Sequence, residues 1–179
     1  MDDDKVKRRG VLGLIASGVA ALALPLRGRA TTWGPGDWPA HFATLSAGAI
    51  LIDSRGGRLH FWAADGVGYH EFPCRLPQAA DLRRRGRTEV VRKLVGPTWR
   101  PTPAMFAADP ALPRRVSAGP DNPFGSHALC LGWRGYRIHG APEEPGAALH
   151  GGLGCYGLSN AEVAALFREV GIGTPVQVI

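Results

Sequence analysis

The chain has 179 residues, which is enough for one domain of ordinary size. Its 25 Gly and 15 Pro favour many short strands joined by turns over long helices. The net charge is +6, and half of it lies within residues 1–30. The remainder is only mildly basic and carries no nucleic-acid recognition motif, so no nucleic-acid partner is expected.

Residues 1–30 are predicted to be an export signal and not part of the fold. A basic cluster precedes an apolar run from Val11 to Leu24, and a small-residue site ends at Ala30, which is the order of a secretory signal peptide. The run is shorter than the roughly twenty residues that a membrane span needs, so no stable membrane span is expected after cleavage. Cleavage after Ala23 and an uncleaved anchor are the alternatives. The pair Arg8-Arg9 resembles a twin-arginine signal, and each alternative places the domain outside the cytoplasm.

Residues 31–46 are predicted to be a linker, followed by one domain over residues 47–179. Three strands are predicted at 49–53, 58–62 and 69–73, with turn residues between them, as in an antiparallel meander. His60 and His70 lie in these strands, and both are expected to face solvent and to form no site.

The middle of the domain is rich in arginine and then in proline. Residues 81–93 are predicted to be a solvated loop and strand face, with a contact surface for anionic groups as the alternative. Prolines in the segment 97–103 exclude a regular helix or a central strand. A helical turn is predicted at 104–109, and strands are predicted at 128–131 and 136–138.

The C-terminal part ends in a helix and a strand. Apolar residues at 163, 166, 167 and 170 have helical spacing, so a helix is predicted over 160–170. Ser159 or Asn160 is expected to cap its start and Gly171 to end it. A final strand is predicted over 174–179.

Three cysteines in an exported chain leave one thiol unpaired if the other two form a disulfide. Cys74 and Cys130 lie in apolar segments and are expected to be small core residues. A disulfide between them is the alternative, which their spacing in the sequence does not decide. In both cases Cys155 is the free thiol.

Cys155 and His139 form the candidate site. A thiol nucleophile needs a nearby base, and an imidazole can take the proton at neutral pH. Glycines surround both residues, so tight turns are expected to aim backbone N–H groups at a reacting carbonyl. The imidazole is expected to lower the pKa of the thiol. Arg137 is expected to point away from the base.

Several segments together resemble the L,D-transpeptidase catalytic domain of the YkuD type. They are Ile138-His139-Gly140, Gly154-Cys155, Asn160 and the closing helix and strand. Residues 97–105 and 118–125 resemble its bacterial periplasmic members. The resemblance covers residues 47–179. It implies a mainly β fold, a compact sandwich or barrel-like domain with one or two short helices.

The resemblance also implies a reaction and a location. The cysteine of such a domain attacks a tetrapeptide stem of peptidoglycan in the periplasm and forms a thioester. An amine acceptor then resolves the thioester, which makes a cross-link, attaches an outer-membrane lipoprotein or exchanges a D-amino acid. No cofactor and no metal are implied.

The resemblance assigns roles to individual residues. Cys155 is the expected nucleophile, and His139 is the general base and acid, with the backbone carbonyl of Gly140 orienting its ring. The amide of Gly154 is expected to bind the oxyanion. The candidates for substrate binding are Trp99, His150, Tyr156 and Asn160.

The chain departs from the usual family motif, Ser-x-Gly-Cys-x-Arg. Gly152 replaces the Ser, Leu153 replaces a polar residue, and Gly157 replaces the Arg. The Arg normally helps to attract a substrate carboxylate, and a Gly removes its donor fork. His150 either stands in for a lost polar group or lies on the cleft rim. Alternative functions are an L,D-carboxypeptidase or cross-link hydrolase on the same scaffold, and a catalytically weakened peptidoglycan-binding protein.

Overall fold

The computed structural model describes residues 33–77, 80–141 and 154–179. The predicted signal peptide lies outside these ranges, and so do His150, Gly152 and Leu153. The elements are β1 (Ala49–Asp53), β2 (Arg58–Trp62), β3 (Tyr69–Pro73), β4 (Gly86–Val95), α1 (Pro103–Ala108), β5 (His127–Leu131), β6 (Arg137–Ala141), β7 (Cys155–Ser159), α2 (Asn160–Glu169) and β8 (Pro175–Val178).

The eight strands of the described ranges form a mixed sheet in the order β3-β2-β1-β8-β4-β5-β6-β7. The pairs β1–β8 and β6–β7 are parallel, and the other pairs are antiparallel. Just after β3, Arg75 exchanges backbone hydrogen bonds of 2.8 and 2.9 Å with Gly157 of β7. These bonds nearly close the sheet on itself. The mainly β, barrel-like fold class predicted from the sequence is therefore confirmed.

The three opening strands have the predicted bounds, and β7 was missed. Its sequence, Cys-Tyr-Gly-Leu-Ser, is short and contains a glycine, so it carries little strand signal. Pairing with β6 stabilises the extended conformation of this segment, which its local strand propensity does not predict. The Arg-rich segment contains β4, which pairs through its first half with β8 and through its second half with β5.

The main core lies on one face of the sheet. Leu129, Ile138 and Tyr156 from β5, β6 and β7 are buried there, and α2 covers them with Val163 and Leu166. The packing of this apolar face supplies most of the driving force for folding. It also fixes which face of β5, β6 and β7 remains for the site.

Capping residues hold α2 at both ends. At the start, the Ser159 hydroxyl accepts from the Glu162 amide at 3.1 Å, and the Glu162 carboxylate accepts from the Ser159 amide at 2.8 Å, which is a capping box. At the end, Lys93 Nζ donates to the carbonyls of Phe167 and Val170 at 2.6 and 2.5 Å. The expected glycine cap at Gly171 is absent, since Gly171 is not among the positive-φ glycines of the described chain. A lysine from β4 satisfies the last carbonyls instead.

A second, smaller cluster covers the other face of β1 and β2. Phe42 and Leu45 pack against Leu51 and Trp62, and Trp62 Nε1 donates to the Gly34 carbonyl at 3.2 Å. The segment predicted to be a linker therefore packs on the sheet in the part that the structure describes.

The segment that packs on this face also buries His60. The prediction that His60 faces solvent is wrong, since its side chain is only 2% exposed and its Nδ1 lies 2.9 Å from the Tyr69 hydroxyl. The alternating pattern of β2 predicted one exposed face, but the preceding segment covers that face. The expectation for His70 is confirmed, because it is exposed and forms an ion pair with Glu169 at 3.3 Å.

None of the helices in the described ranges is long and apolar enough to cross a bilayer. Within the same ranges, no group of three or more His, Cys, Asp or Glu side chains is arranged to hold a metal ion.

Candidate active site

Three adjacent strands place the candidate site on the face opposite the main core. The paired residues Cys130, Arg137 and Cys155 form one row across β5, β6 and β7, and His139 pairs with Gly157 in the next row. Side chains two residues apart on a strand share a face. Arg137, His139 and Cys155 therefore lie on one face. His139 is diagonal to Cys155, one strand spacing across and two residues along, which gives roughly 8 Å between Cα atoms.

This register corrects the expected direction of Arg137. The sequence interpretation turned Arg137 away from the base, which is wrong because positions 137 and 139 differ by two along one strand. Arg137 pairs directly with Cys155 and is half-buried. It is the site-face residue that the sequence reasoning missed, and the two-residue period was the signal that could have found it.

His139 is buried and held in one tautomer. Its Nδ1 lies 2.5 Å from the Gly140 carbonyl oxygen, and because a carbonyl can only accept, Nδ1 carries the proton. Burial lowers the pKa of His139 to about 4, against the opposing effect of the Gly140 bond and with a further lowering from Arg137. The ring is therefore neutral at pH 7. Among the described residues, Nε2 has no hydrogen-bond partner, so its lone pair is available.

Cys155 is also buried, with 2% of its surface exposed, and it packs with Trp99 and Phe124. Burial raises the pKa of Cys155 to about 12, the Arg137 charge acts in the opposite direction, and Cys130 raises it further. The expectation that the imidazole lowers the pKa of the thiol is not met, because a neutral ring supplies no charge. Both shifts favour a neutral thiol and a neutral base on this face of the sheet.

The Phe124 ring contacts both His139 and Arg137. Its ring meets the His139 ring edge-on, with 5.0 Å between centroids and an interplanar angle of 69°. The Arg137 guanidinium carbon lies 4.6 Å from the centroid of the Phe124 ring, in a cation–π contact. The three side chains thus form one packed unit next to Cys155.

The position of His139 depends on a close approach between two glycines and Asn160. Asn160 Oδ1 accepts from the Ser126 amide at 2.8 Å, and a Cβ on either Gly125 or Gly140 would collide with that oxygen. Gly125 also has φ +61°, which favours glycine. Asn160 therefore fixes the backbone around His139.

A second glycine turn leads into Cys155. Gly154 has φ +68°, and a Cβ there would collide with the Tyr136 ring. Gly154 is thus required for two reasons, its backbone conformation and the lack of space. The oxyanion role of its amide stays a prediction.

The candidates for substrate binding occupy different places. Trp99 is buried beside Cys155, and Asn160 supports the turn at Gly125, next to Gly140. Tyr156 lies on the opposite face, fully buried in the main core, and its hydroxyl donates to the Arg84 carbonyl at 3.3 Å. This placement gives no support to a substrate contact by Tyr156, whose neighbour on the chain faces the site. His150 lies outside the described residues.

All three cysteines are free and buried. Cys74 packs in the main core, where burial raises its pKa to about 12. Cys130 lies in the row of Cys155 but is separated from it by β6. The alternative disulfide between Cys74 and Cys130 is not formed, since both thiols are free and lie on opposite faces of the sheet. Cys74 and Cys130 thus match the expectation of small buried residues, and Cys155 is a free thiol as expected.

Comparisons with known proteins identify the family. Residues 47–178 match the YkuD family, the L,D-transpeptidase catalytic domain. The putative L,D-transpeptidase in ATP synthase subunits region ORF 5 of Fuscovulum blasticum is 37% identical over 188 residues, which is 98% of this chain and 99% of that protein. The probable L,D-transpeptidase YbiS of Escherichia coli K12 is 39% identical over 135 residues, which is 73% of this chain but only 44% of YbiS.

Solved structures share the fold. L,D-transpeptidase 3 from Mycobacterium tuberculosis superposes with a TM-score of 0.56 at 16% identity, over 74% of this chain and 61% of that chain. The catalytic domain of the Enterococcus faecium L,D-transpeptidase gives 0.53 at 20% identity, over 74% of this chain and 97% of that domain. The family match and the Fuscovulum blasticum relative, which aligns over almost the whole length of both chains, show that this chain belongs to the L,D-transpeptidase family of the YkuD type.

Proposed function

We propose that this protein is an exported cysteine L,D-transpeptidase that acts on peptidoglycan stem peptides in the periplasm. The observation that supports this most is the state of His139. Its Nδ1 proton is committed to the Gly140 carbonyl, and its Nε2 lone pair is free on the face that holds Cys155. Cys155 Sγ is not hydrogen-bonded to Nε2 in this structure. A base in this tautomer can accept the thiol proton once Sγ comes within hydrogen-bond distance of Nε2.

In the proposed acylation step, the Cys155 proton moves to His139 Nε2 as Sγ attacks the carbonyl of the acyl donor. The carbonyl oxygen becomes an oxyanion, for which the amides of Gly154 and Cys155 are the proposed donors. The C–N bond to the terminal D-alanine then breaks, and His139 returns the proton to the leaving amine. A thioester on Cys155 remains.

The second step reverses the first with a new nucleophile. An acceptor amine gives a proton to His139 as it attacks the thioester carbonyl, and the C–S bond breaks. The thiolate regains its proton from His139. General-base assistance of this kind contributes about 10²–10⁴-fold to the rate. A peptide amine, an outer-membrane lipoprotein and a D-amino acid all have the required chemistry.

The neutral pair makes this a base-assisted reaction and not one of a preformed ion pair. Burial raises the pKa of Cys155 to about 12 and lowers that of His139 to about 4. Both directions favour the neutral pair, so we propose that proton transfer accompanies attack. Export by a twin-arginine signal over residues 1–30 is part of the proposal, since it brings the domain to its substrate.

A catalytically weakened wall-binding protein is the second candidate. It is favoured by the glycine at position 157, which leaves no side chain opposite His139, and by the burial of Cys155. Water as acceptor, giving a carboxypeptidase or cross-link hydrolase, is a variant of the first candidate.

The test is acylation followed by intact mass measurement. The purified protein is incubated with a disaccharide-tetrapeptide, or with a carbapenem as a surrogate, and the mass of one acyl group is expected on the wild type. Cys155→Ala should gain no mass, while Cys130→Ala should still be acylated. A D-amino acid in the mixture then separates exchange from hydrolysis. Absence of any adduct on wild type with a reduced Cys155 would refute the enzyme and favour the binding protein.

A further inference from the structure

His139 and Cys155 lie on the paired strands β6 and β7. Within the described residues of these two strands, Arg137 is the only arginine, and it pairs directly with Cys155. Its guanidinium rests on the Phe124 ring at 4.6 Å and is half-buried. The ion pairs found in the described ranges are Arg58–Glu71 and His70–Glu169, so no described carboxylate neutralises Arg137. A cation is therefore held beside the thiol by an apolar surface.

We propose that Arg137 is the specificity-determining cation of this site, and that its guanidinium binds a carboxylate of the acyl donor beside Cys155. The proposal rests on the proposed function in so far as Cys155 is taken as the nucleophile. The planar guanidinium has a fork of donors that matches a carboxylate in a bidentate arrangement. An apolar floor and partial burial strengthen that attraction relative to open water.

The register explains why this residue fills the role. Position 157 shares the site face with Cys155 and lies opposite His139, but as glycine it contributes no donor. Arg137 reaches the same face from the neighbouring strand, opposite Cys155 itself. Arg75, which pairs with Gly157, is a second arginine next to position 157. Arg137 differs from it in pairing with Cys155 itself.

The electrostatics of the pair agree with this placement. The charge of Arg137 favours the thiolate of Cys155 and the neutral form of His139, so it lowers the pKa of both groups. The Arg137 guanidinium therefore acts electrostatically on both members of the candidate pair, in agreement with its contact with Phe124 and its pairing with Cys155.

The test compares two alkylating reagents that differ in charge. Iodoacetate and iodoacetamide both form an S–C bond at the sulfur and release iodide, but only iodoacetate carries a carboxylate. The ratio of their rate constants at Cys155, measured by peptide mapping at pH 8.5, reports the local positive charge. Arg137→Met is expected to lower this ratio about tenfold, and Arg137→Lys is expected to keep it within about threefold of wild type.

Arg92 provides the matched control. It pairs with Cys130 and lies further along the same row, roughly 14 Å from Cys155 by strand spacing. Arg92→Met should therefore leave the ratio nearly unchanged. Thermal unfolding of each variant verifies the fold, and Arg137→Gln replaces Arg137→Met if the latter does not fold.

An unchanged ratio in the Arg137 variant overturns the proposal. The proposal is also overturned if the Arg137 variant is alkylated more slowly by both reagents to the same extent, since that result would assign Arg137 a packing role. If neither reagent reaches Cys155 in the folded protein, a carboxylate has no access beside the sulfur and the proposal fails as well. Failure of the proposed function is read separately, because it shows as missing acylation by the tetrapeptide or carbapenem while alkylation proceeds.

Discussion

The buried histidine of the site makes folding stability depend on pH. His139 is completely buried, and burial lowers its pKa from 6.5 to about 4. The unfolded chain binds a proton near pH 6.5, whereas the folded chain resists protonation until about pH 4. The contribution of neutral His139 is therefore fully present above about pH 6.5 and is lost as the pH falls toward 4.

The size of the loss follows from the two pKa values. Each pH unit between them corresponds to about 1.4 kcal/mol, so His139 should cost the folded protein about 2 kcal/mol by pH 5 and about 3 kcal/mol at pH 4. Burial also lowers the pKa of His41 and His60, and a comparison with His139→Gln removes their effect because both proteins contain them.

The assay is urea unfolding monitored by tryptophan fluorescence, for wild type and His139→Gln, at intervals from pH 7.5 to 4. The stability difference between the two proteins is expected to shift by about 3 kcal/mol in favour of the variant as the pH falls. The exposed His70 offers a matched control, since His70→Gln should leave most of the wild-type acid sensitivity in place. A difference between wild type and His139→Gln that stays constant over this range would refute the reasoning.

Three further predictions concern the residues that hold the site. Gly154→Ala should lower the free energy of unfolding by at least about 2 kcal/mol, because it combines a positive φ with a collision against Tyr136. In urea unfolding, adding Tyr136→Ala should recover part of this loss. A single variant as stable as wild type would contradict this prediction. Asn160→Ala should lose about 1–3 kcal/mol and slow acylation, because it leaves the Ser126 amide unpaired beside His139; wild-type stability would count against the role of Asn160. Lys93→Met should lower the free energy of unfolding by about 1–3 kcal/mol, because it removes two hydrogen bonds at the end of α2. Lys93→Arg should lower it less. Equal losses in the two variants would show that the charge contributes nothing.

Sequence patterns predicted the elements whose signals are local. The opening strands were found with their observed bounds because alternating and apolar runs between turn residues are visible along the chain. The helix α2 was found from its apolar spacing and from the capping residue Ser159. The short strand β7 was missed, because pairing with β6 decides it and its own residues do not.

The candidate site divides in the same way. Cys155 and His139 were found as residue types that can act together, and the resemblance to a known family supplied their expected roles. Which other residues share their face depends on strand register, and register appears only when the strands pair. Tyr156 was expected at the substrate and lies in the core, while Arg137 was expected to point away and pairs with Cys155.

The sequence by itself determined the family, the fold class, the turn glycines and the candidates for the thiol and the base. Only the tertiary structure decided their protonation states, because the pKa of His139 and of Cys155 depends on burial by distant segments. The tertiary structure also decided that a cation lies beside the thiol, because Arg137 and Cys155 are far apart in the chain and meet only across β6 and β7.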